Sequence, residues 1–369
     1  MIAAPPLGRH PADGNRAVPL FLLRSAEAYR VAPHGAADGV RRETGAPPMT
    51  VVKTRGKDAV PQHYYLRVSV TDRCNLRCTY CLPESASFRS DRVTSAELDQ
   101  LMGAVCAAVP VTKIRLTGGE PTLDPQLAAH VRAAAWLVPT VGLTSNGVLL
   151  AEQLPALQAA GLTRLNISCD AADAEGFARS TRRDRFAAVL TAIRTARDLG
   201  FAPLKINAVA TTATDAVALV RFALAEAVHL RFIELMAIGE ARPDHQRRFI
   251  SSEDLRQQVA SAGLSLCAAP DRDEPTSRVW TVPGVPAERC TIGFITTVTE
   301  PFCATCTRLR LTSQGRLHTC LFDEHGTDLL PTLRAGDDAG LLATIRRAVA
   351  AKAPPASFVR AGVMAAIGG

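Results

Sequence analysis

The stretch Tyr65–Cys81, YLRVSVTDRCNLRCTYC, decides the architecture of this chain of 369 residues. Its first half alternates apolar and polar residues, which is typical of a β-strand with two different faces. Its second half places three cysteines, Cys74, Cys78 and Cys81, at C-x3-C-x2-C spacing on the segment that follows the strand. Three thiols on one short loop can bind three irons of a cubane cluster and leave the fourth iron without a protein ligand.

An open iron indicates a cluster that binds a substrate or cofactor as well as passing electrons, because iron–sulfur clusters are normally held by four thiolates. The alternative is a zinc knuckle, but zinc sites usually repeat as two C-x2-C pairs. The x3 gap, the aromatic Tyr80 before the last cysteine and the upstream strand all favour the cluster.

A second set of three cysteines occurs towards the C-terminus, at Cys303, Cys306 and Cys320. The chain has 10 cysteines in all, and nothing in the spacing of the remaining ones suggests a disulfide framework. The second set predicts another cluster or, on spacing alone, a structural zinc site. The residues that would complete such a zinc site are Cys290, His318 and His325. Thiol-ligated clusters need a reducing compartment, so we expect a cytoplasmic protein.

Composition is that of an ordinary globular protein, with 47% hydrophobic and 21% charged residues. The net charge of +7 fits an anionic ligand, but no run of lysines and arginines is of the kind that follows a nucleic-acid backbone. A small phosphorylated substrate is therefore the better prediction, and no nucleic acid is expected. No stretch approaches the roughly 20 apolar residues that span a bilayer, so no membrane is expected either.

Residues 1–50 are rich in Ala, Pro, Gly and Arg and show no hydrophobic period. The apolar run Val18–Leu23 is too short for the core of a secretory signal. We expect residues 1–55 to be a disordered extension, and translation that starts at Met49 is the alternative.

From residue 60 onwards, strand patterns alternate with helix patterns. The candidate strands are 65–71, 113–117, 140–145, 164–169, 204–210 and 229–235. The candidate helices are 94–109, 124–137, 151–160, 184–200 and 215–227. Alternation of this kind produces a parallel sheet with right-handed crossovers. Six such units predict an α/β fold, an incomplete (β/α)6 TIM-type barrel over residues 56–250, followed by a C-terminal domain, 251–369.

The predicted strands have one apolar and one polar face, although buried parallel strands usually read as continuous apolar runs. The polar face carries Arg67, Lys113, Arg115, Asn166 and Lys205. Since the apolar face must pack under the helices, the polar face is expected to line a lumen that holds a polar ligand. A half-open sheet with one solvated face is the alternative.

Two further patterns carry chemistry. Thr117-Gly118-Gly119-Glu120-Pro121 follows the second strand, where adjacent glycines let a ligand approach the backbone and Glu120 offers a carboxylate to an ammonium group. Arg308 and Arg310 follow the second set of cysteines, and arginine side chains bind phosphate oxygens in pairs. With Arg67, Lys113, Arg115 and Arg231 directed into the lumen, Arg308 and Arg310 predict a binding site for a polyanion. The alternative for the two arginines is a solvated strand edge, and the alternative for the Gly-Gly-Glu-Pro segment is an ordinary turn at the end of a strand.

Several separated motifs together resemble the GTP 3′,8-cyclase family of the radical S-adenosylmethionine (SAM) superfamily. They are the cysteine loop, K-I-R-L-T-G-G-E-P at 113–121, R-F-I-E-L-M at 231–236, I-G-F-I at 292–295, C-x2-C-x-R-x-R from 303 with Cys320 following, and the terminal Gly-Gly. The resemblance covers about residues 60–369. The sequence departs from the family at Ser180-Thr181-Arg182 and at Asp170, which affects local loops only.

The resemblance implies the first step of molybdenum cofactor biosynthesis, in which GTP becomes (8S)-3′,8-cyclo-7,8-dihydroguanosine 5′-triphosphate by joining the 3′ ribose carbon to carbon 8 of guanine. Two 4Fe-4S clusters are implied, on Cys74, Cys78 and Cys81 and on Cys303, Cys306 and Cys320. The implied SAM contacts are Tyr80, Gly118, Gly119, Glu120, Thr144, Ser168 and Met236. The implied GTP contacts are Arg67, Lys113, Arg115, Thr117, Lys205, Arg231, Arg308 and Arg310. The tail residues Gly368 and Gly369 are implied to enter the active site.

The implied partners are GTP, a low-potential electron donor such as flavodoxin or ferredoxin, and functionally the downstream cyclic pyranopterin monophosphate synthase. A homodimer is the expected assembly. The enzyme alternative is a radical SAM peptide- or cofactor-maturing enzyme with an auxiliary cluster, which would not need six inward Arg and Lys side chains. The alternative outside the enzymes is a non-catalytic protein in which an iron–sulfur cluster or zinc has a structural role.

Overall fold

The computed structural model describes residues 63–88, 92–272 and 274–368, all of which belong to one compact unit. The predicted extension over residues 1–55, the start at Met49 and the position of Gly369 lie outside the described residues. No helix in these ranges is long and apolar enough to cross a membrane.

Six strands alternate with helices through the first part of the unit. The strands are β1 (Tyr64–Ser69), β2 (Val111–Thr117), β3 (Thr140–Ser145), β4 (Arg164–Ser168), β5 (Leu204–Ala210) and β6 (His229–Glu234). The helices are α1 (Ser95–Ala108), α2 (Leu127–Leu137), α3 (Leu150–Ala159), α4 (Ala174–Thr181), α5 (Phe186–Asp198) and α6 (Ala216–Glu226). Apart from the short helix α4, which was not predicted, these elements lie within three residues of the expected bounds.

Local signals explain several of the helix ends. Thr94 caps α1 by accepting the N–H of Glu97 at 3.2 Å, and the Glu97 carboxylate accepts the N–H of Thr94 at 2.8 Å. Gly161 and Gly200 follow α3 and α5 with positive φ angles of 107° and 77°, the conformation that commonly ends a helix.

The C-terminal part adds shorter elements. They are β7 (Ala237–Ile238), α7 (His245–Arg248), α8 (Ser252–Ser261), β8 (Cys267–Ala268), β9 (Arg278–Thr281), β10 (Ile292–Ile295), β11 (Arg308–Leu311), β12 (Arg316–His318), β13 (Thr327–Asp328), α9 (Leu330–Arg334), α10 (Asp338–Ala350) and β14 (Val359–Arg360). Helix α10 packs against α1, and Arg334 forms an ion pair with Glu97 at 2.8 Å.

The described strands form one large mixed sheet and a small pair. In the large sheet the order is β13-β12-β11-β1-β2-β3-β4-β5-β6-β10-β9-β8. All neighbours from β11 to β10 are parallel, so the six predicted strands are flanked by one further parallel strand on each edge. The C-terminal segment therefore continues the sheet instead of standing apart from it. Strands of four residues give no local indication of partners that lie about 60 residues away for β10 and about 240 residues away for β11.

The apolar faces of the strands form the core under the helices. Leu66, Ile114, Leu165 and Ile206 are completely buried, as the alternation predicts. The C-terminal strand β10 enters the same core through Phe294, whose ring stacks on Phe232 of β6 at 5.5 Å.

This packing generates a stability prediction. Phe294→Ala removes a completely buried ring that joins β10 to β6, and should lower the free energy of unfolding by about 3–5 kcal/mol. Trp136→Ala, at a side chain that is 86% exposed on α2, should change it by less than about 0.5 kcal/mol. Urea unfolding followed by circular dichroism measures both. Equal effects of the two substitutions would mean that β10 is not part of the cooperative core.

Candidate active site

The polar faces of the strands and the two cysteine sets line a single cavity of about 390 Å³, a volume typical of small-molecule sites. All the predicted site residues from Arg67 to Cys320 contribute to its wall. Of the tail, Gly368 lies beside this wall, because a Cβ atom there would be 2.8 Å from Thr117 and 3.1 Å from Ser69. Arg67 donates a hydrogen bond from Nε to the Gly368 carbonyl at 3.3 Å.

The first cysteine loop is held against the end of β2 by backbone hydrogen bonds. Gly119 N–H donates to the Thr71 carbonyl at 2.7 Å, and Glu120 N–H donates to the Arg73 carbonyl at 2.7 Å. A Cβ atom on Gly118 would lie 2.4 Å from the Thr71 carbonyl oxygen, and one on Gly119 would lie 2.3 Å from that of Arg73. The two glycines therefore allow the chain before Cys74 to pack directly on β2. The sequence had suggested only the approach of a ligand.

The Glu120 carboxylate is buried and ties β2 to the end of β3. Oε1 accepts hydrogen bonds from the Thr122 hydroxyl and the Ser145 hydroxyl, both at 2.7 Å, and Oε2 accepts the Asn146 N–H at 2.6 Å. A carboxylate oxygen can accept two hydrogen bonds, so Oε2 retains capacity for an ammonium group from the cavity. This fits the amino group of SAM.

The cysteine sulfurs have surroundings suited to cluster ligands. Cys74 Sγ accepts the Leu76 N–H at 3.4 Å, and Cys320 Sγ accepts the Phe322 N–H at 3.5 Å, contacts that tune cluster thiolates. Burial raises the pKa of the Cys81 thiol to about 12, so its thiolate form requires a nearby positive charge such as iron.

The zinc alternative for either set finds no support in the ligand geometry. Within residues 63–88, 92–272 and 274–368, no three His, Cys, Asp or Glu side chains are close enough together to hold a single metal ion. His318 is instead hydrogen-bonded through Nδ1 to the Asp323 carbonyl at 3.0 Å.

Strand register arranges the cations in two rows. Arg310, Arg67 and Arg115 are neighbours across β11, β1 and β2, and Arg308, Tyr65 and Lys113 form the adjacent row. Glycines provide the space for two of the lumen arginines. Gly142 lies next to Arg115, where a Cβ would be 2.9 Å from the guanidinium carbon, and Gly293 lies next to Arg231, where it would be 2.4 Å from Cδ.

Several guanidinium groups in the wall of the cavity are buried, and three of them have an Nε atom without an acceptor in the described part of the chain. Burial, together with repulsion from Arg308 and Arg67, lowers the pKa of Arg310 to about 9. The Nε atoms of Arg231, Arg308 and Arg310 are buried and bind no hydrogen-bond acceptor among the residues that the structure describes. A buried donor without an acceptor is costly, so this wall is suited to an anion that supplies several oxygens.

Tyr65 is a lumen residue that sequence reasoning missed, although its spacing from Arg67 placed it on the polar face. Its hydroxyl accepts a hydrogen bond from Arg115 Nε at 2.5 Å, and Lys113 Nζ lies 4.9 Å from its ring centre. Burial alone would raise the pKa of Tyr65, but Arg115, Arg67 and Lys113 together outweigh it and lower that pKa from 10.0 to about 8.

Three further polar groups were also missed. Asp170 accepts the Tyr80 hydroxyl at 2.8 Å, and Glu234 accepts the Thr299 hydroxyl at 2.6 Å and so fixes the segment that precedes Cys303. Lys352 donates to the Arg308 carbonyl at 3.0 Å beside the second cysteine set. Glu234 lies within the R-F-I-E-L-M motif and Asp170 follows the fourth strand, but the sequence did not indicate what their side chains bind, because these contacts are tertiary. Lys352 had no signal in the sequence.

Comparison with known proteins identifies two families along the chain. Residues 68–215 match the radical SAM superfamily, and residues 228–358 match a family described as Molybdenum Cofactor Synthesis C. A GTP 3′,8-cyclase of Mycobacterium sp. (strain KMS) is 40% identical over 284 residues, which is 74% of this chain and 79% of that protein. The chain belongs to the GTP 3′,8-cyclase family. The corresponding protein of Mycolicibacterium smegmatis is 39% identical over 315 residues, 82% of this chain and 85% of its own length.

Among solved structures, Streptococcus suis SuiB bound to S-adenosylmethionine is similar with a TM-score of 0.52 at 14% identity. The match covers 77% of this chain and 67% of that one. At this identity the similarity concerns the fold alone.

The cysteine sets generate a prediction about iron content. If each cysteine set holds one 4Fe-4S cluster, as the sequence predicts, replacing Cys74, Cys78 and Cys81 with serine should lower the iron bound per chain from about eight to about four atoms. Replacing Cys303, Cys306 and Cys320 should have the same effect, and replacing all six should abolish binding. Cys267→Ser, at an exposed thiol outside the cavity, is the matched control. Iron analysis and electron paramagnetic resonance measure the result, and full iron content in either triple variant would contradict it.

Proposed function

We propose that this chain converts GTP into (8S)-3′,8-cyclo-7,8-dihydroguanosine 5′-triphosphate, the first step of molybdenum cofactor biosynthesis. The observation that supports this most strongly is the meeting of two three-cysteine sets and the rows of cations in one cavity. A cluster-bearing enzyme that acts on a neutral substrate has no need for such rows. The names of the 39–40% identical relatives point to the same reaction.

In this proposal the fold is a partial (β/α) barrel whose C-terminal segment carries the second cluster. Cys74, Cys78 and Cys81 hold one 4Fe-4S cluster, and Cys303, Cys306 and Cys320 hold the other. When bound, the clusters and SAM supply the electron and the hydrogen abstraction from which the new carbon–carbon bond follows. Glu120 Oε2 binds the amino group of SAM, with Tyr80, Thr144, Ser168 and Met236 around the rest of the molecule.

The chain's own contribution to substrate is to hold and orient it. Arg308, Arg310, Arg67 and Arg115 present guanidinium groups from neighbouring strands to the triphosphate, with Lys113 beside them. Charge-assisted hydrogen bonds of this kind are the strong ones in proteins. Holding the triphosphate fixes the ribose relative to the two cysteine sets, which is the orientation that such a reaction requires. The Gly368 carbonyl, bonded to Arg67, brings the tail to the same place.

Several partners belong to the proposal as predictions. They are a low-potential flavodoxin or ferredoxin as electron donor, the downstream cyclic pyranopterin monophosphate synthase, a homodimer as the assembly and the cytoplasm as the location.

The test is an anaerobic incubation of the reconstituted protein with SAM and reductant, with and without GTP, followed by mass spectrometry. GTP-dependent 5′-deoxyadenosine and a cyclised isomer of GTP are expected. Lys113→Met should retain iron and SAM binding but weaken GTP binding by about 10- to 100-fold, since it removes one charged phosphate contact. Arg132→Met, at an exposed position on α2, is the control. Equal 5′-deoxyadenosine without GTP, and no nucleotide product, would refute the proposed substrate.

A pH dependence follows from Tyr65. Because its pKa is about 8, the phenol loses its proton between pH 7 and 9 and adds a negative charge to the cavity. The terminal phosphate of GTP is already mostly ionised at pH 7. The affinity for GTP should therefore fall more steeply with pH in the wild type than in Tyr65→Phe. Any fall that remains in the Phe variant reports deprotonation of the cations. Calorimetric titration at pH 7, 8 and 9 measures both proteins, and identical curves would show that Tyr65 stays neutral.

A further inference from the structure

A carboxylate, Glu274, lies inside the cation-lined cavity, where anionic ligands are expected. Its Oε1 accepts a hydrogen bond from Lys205 Nζ and a second from Arg231 Nη2 at 2.9 Å. Glu274 comes from a turn of the C-terminal segment, closed by backbone hydrogen bonds of 3.0 and 3.1 Å between Glu274 and Ser277. The two cations therefore come from barrel strands, and the anion comes from a separate turn.

The position of Arg231 does not depend on Glu274. Its Nη1 donates to the Leu230 carbonyl and to the Thr291 hydroxyl, both at 3.0 Å, so the guanidinium is anchored to the sheet. Its Nη2 and the ammonium of Lys205 converge on one oxygen atom. An oxygen held by a guanidinium and an ammonium is the arrangement found in phosphate sites.

Glu274 is ionised in this environment. Burial by itself would raise the pKa of its carboxyl group, but the charges of Arg231 and Lys205 outweigh burial and lower that pKa to about 2. The carboxylate is only partly covered, with 35% of its side chain exposed, whereas Arg231 is 5% exposed. The anion is thus the more accessible member of the cluster, and the one that can leave most easily.

We propose that Glu274 competes with an anionic oxygen of the substrate for Lys205 and Arg231, and that it thereby determines which anions the cavity accepts. The identity of that substrate as GTP rests on the function proposed above. A singly charged anion gains little by replacing a carboxylate on two cations, because it offers the same charge. A terminal phosphate carries nearly two charges at neutral pH and gains more. Glu274 therefore favours polyphosphates over monoanions.

The experiment compares Glu274→Gln with the wild type in the anaerobically reconstituted full chain. The probe is inorganic tripolyphosphate, measured by calorimetric titration at fixed ionic strength, with GTP and acetate as further ligands. Glutamine keeps the shape of the side chain and removes its charge, so tripolyphosphate should bind about tenfold more tightly, the effect of freeing one charge-assisted contact. Acetate should become detectable as a competitor of tripolyphosphate only in the variant.

Glu288→Gln is the matched control. Glu288 lies in the same C-terminal segment and pairs with Arg272 at 2.8 Å, but its side chain is 74% exposed and lies outside the cavity. Its affinities should equal those of the wild type. Iron content and circular dichroism establish that each variant is folded. If the Gln variant fails this check, Glu274→Asp, which withdraws the charge by one methylene, should show a smaller tightening in the same direction.

The outcomes separate this inference from the proposed function. Unchanged or weaker tripolyphosphate binding in the Glu274 variant would overturn the competition, and weaker binding would instead make Glu274 a direct ligand contact. Tighter tripolyphosphate binding with no GTP binding by either protein would support the competition and refute GTP as the substrate. If the wild type and the Glu274 variant both bind GTP but have equal affinities for tripolyphosphate, GTP would be supported as the substrate and the competition would be refuted.

Discussion

Parallel pairing of β1 with β11 on one side and β2 on the other places Arg310, Arg67 and Arg115 next to one another in the wall of the cavity. Like charges on adjacent strands repel, and burial makes the repulsion stronger because less water screens it. The sheet tolerates this arrangement only where neighbouring groups give space or negative charge. Gly142 gives space for Arg115, and the Tyr65 hydroxyl and the Gly368 carbonyl give acceptors for Arg115 and Arg67.

The same sheet determines where the reactive groups lie. The Gly118-Gly119 pair lets the segment before Cys74 pack on β2, and Glu120 connects that strand to β3. On the other side of β1, β11 begins two residues after Cys306, and its first residue is Arg308. Both cysteine sets are thus attached to strands that also carry the cations. The distance between the cysteine sets and the cations is therefore determined by the pairing of strands, which are more rigid than loops.

Much of this was readable in the sequence. Alternation of Leu66, Val68 and Ile114 with Arg67, Lys113 and Arg115 predicts both the buried face and the polar lumen, because strand periodicity is a local property. Spacing likewise indicates both cysteine sets. The sequence did not indicate that β10 and β11 extend the two edges of the sheet, because their partners lie about 60 and about 240 residues away, and pairing at such separations has no local signature. Glu274 was missed for a related reason, since it reaches the cavity from a segment without hydrophobic period.

The cations of the cavity have opposite effects on stability and on ligand affinity: their mutual repulsion destabilises the fold, but their charge attracts anionic ligands. Without any internal anion, Lys205 and Arg231 would destabilise the folded chain by mutual repulsion, and burial lowers the pKa of Lys205 further. Glu274 relieves that repulsion by pairing with both cations. The positive charge that it neutralises is then no longer available to attract a phosphate group. Placing the compensating carboxylate on a turn instead of on a strand lets it withdraw while the cations stay fixed. A cavity built in this way can be stable with its own anion and still select a ligand of higher charge.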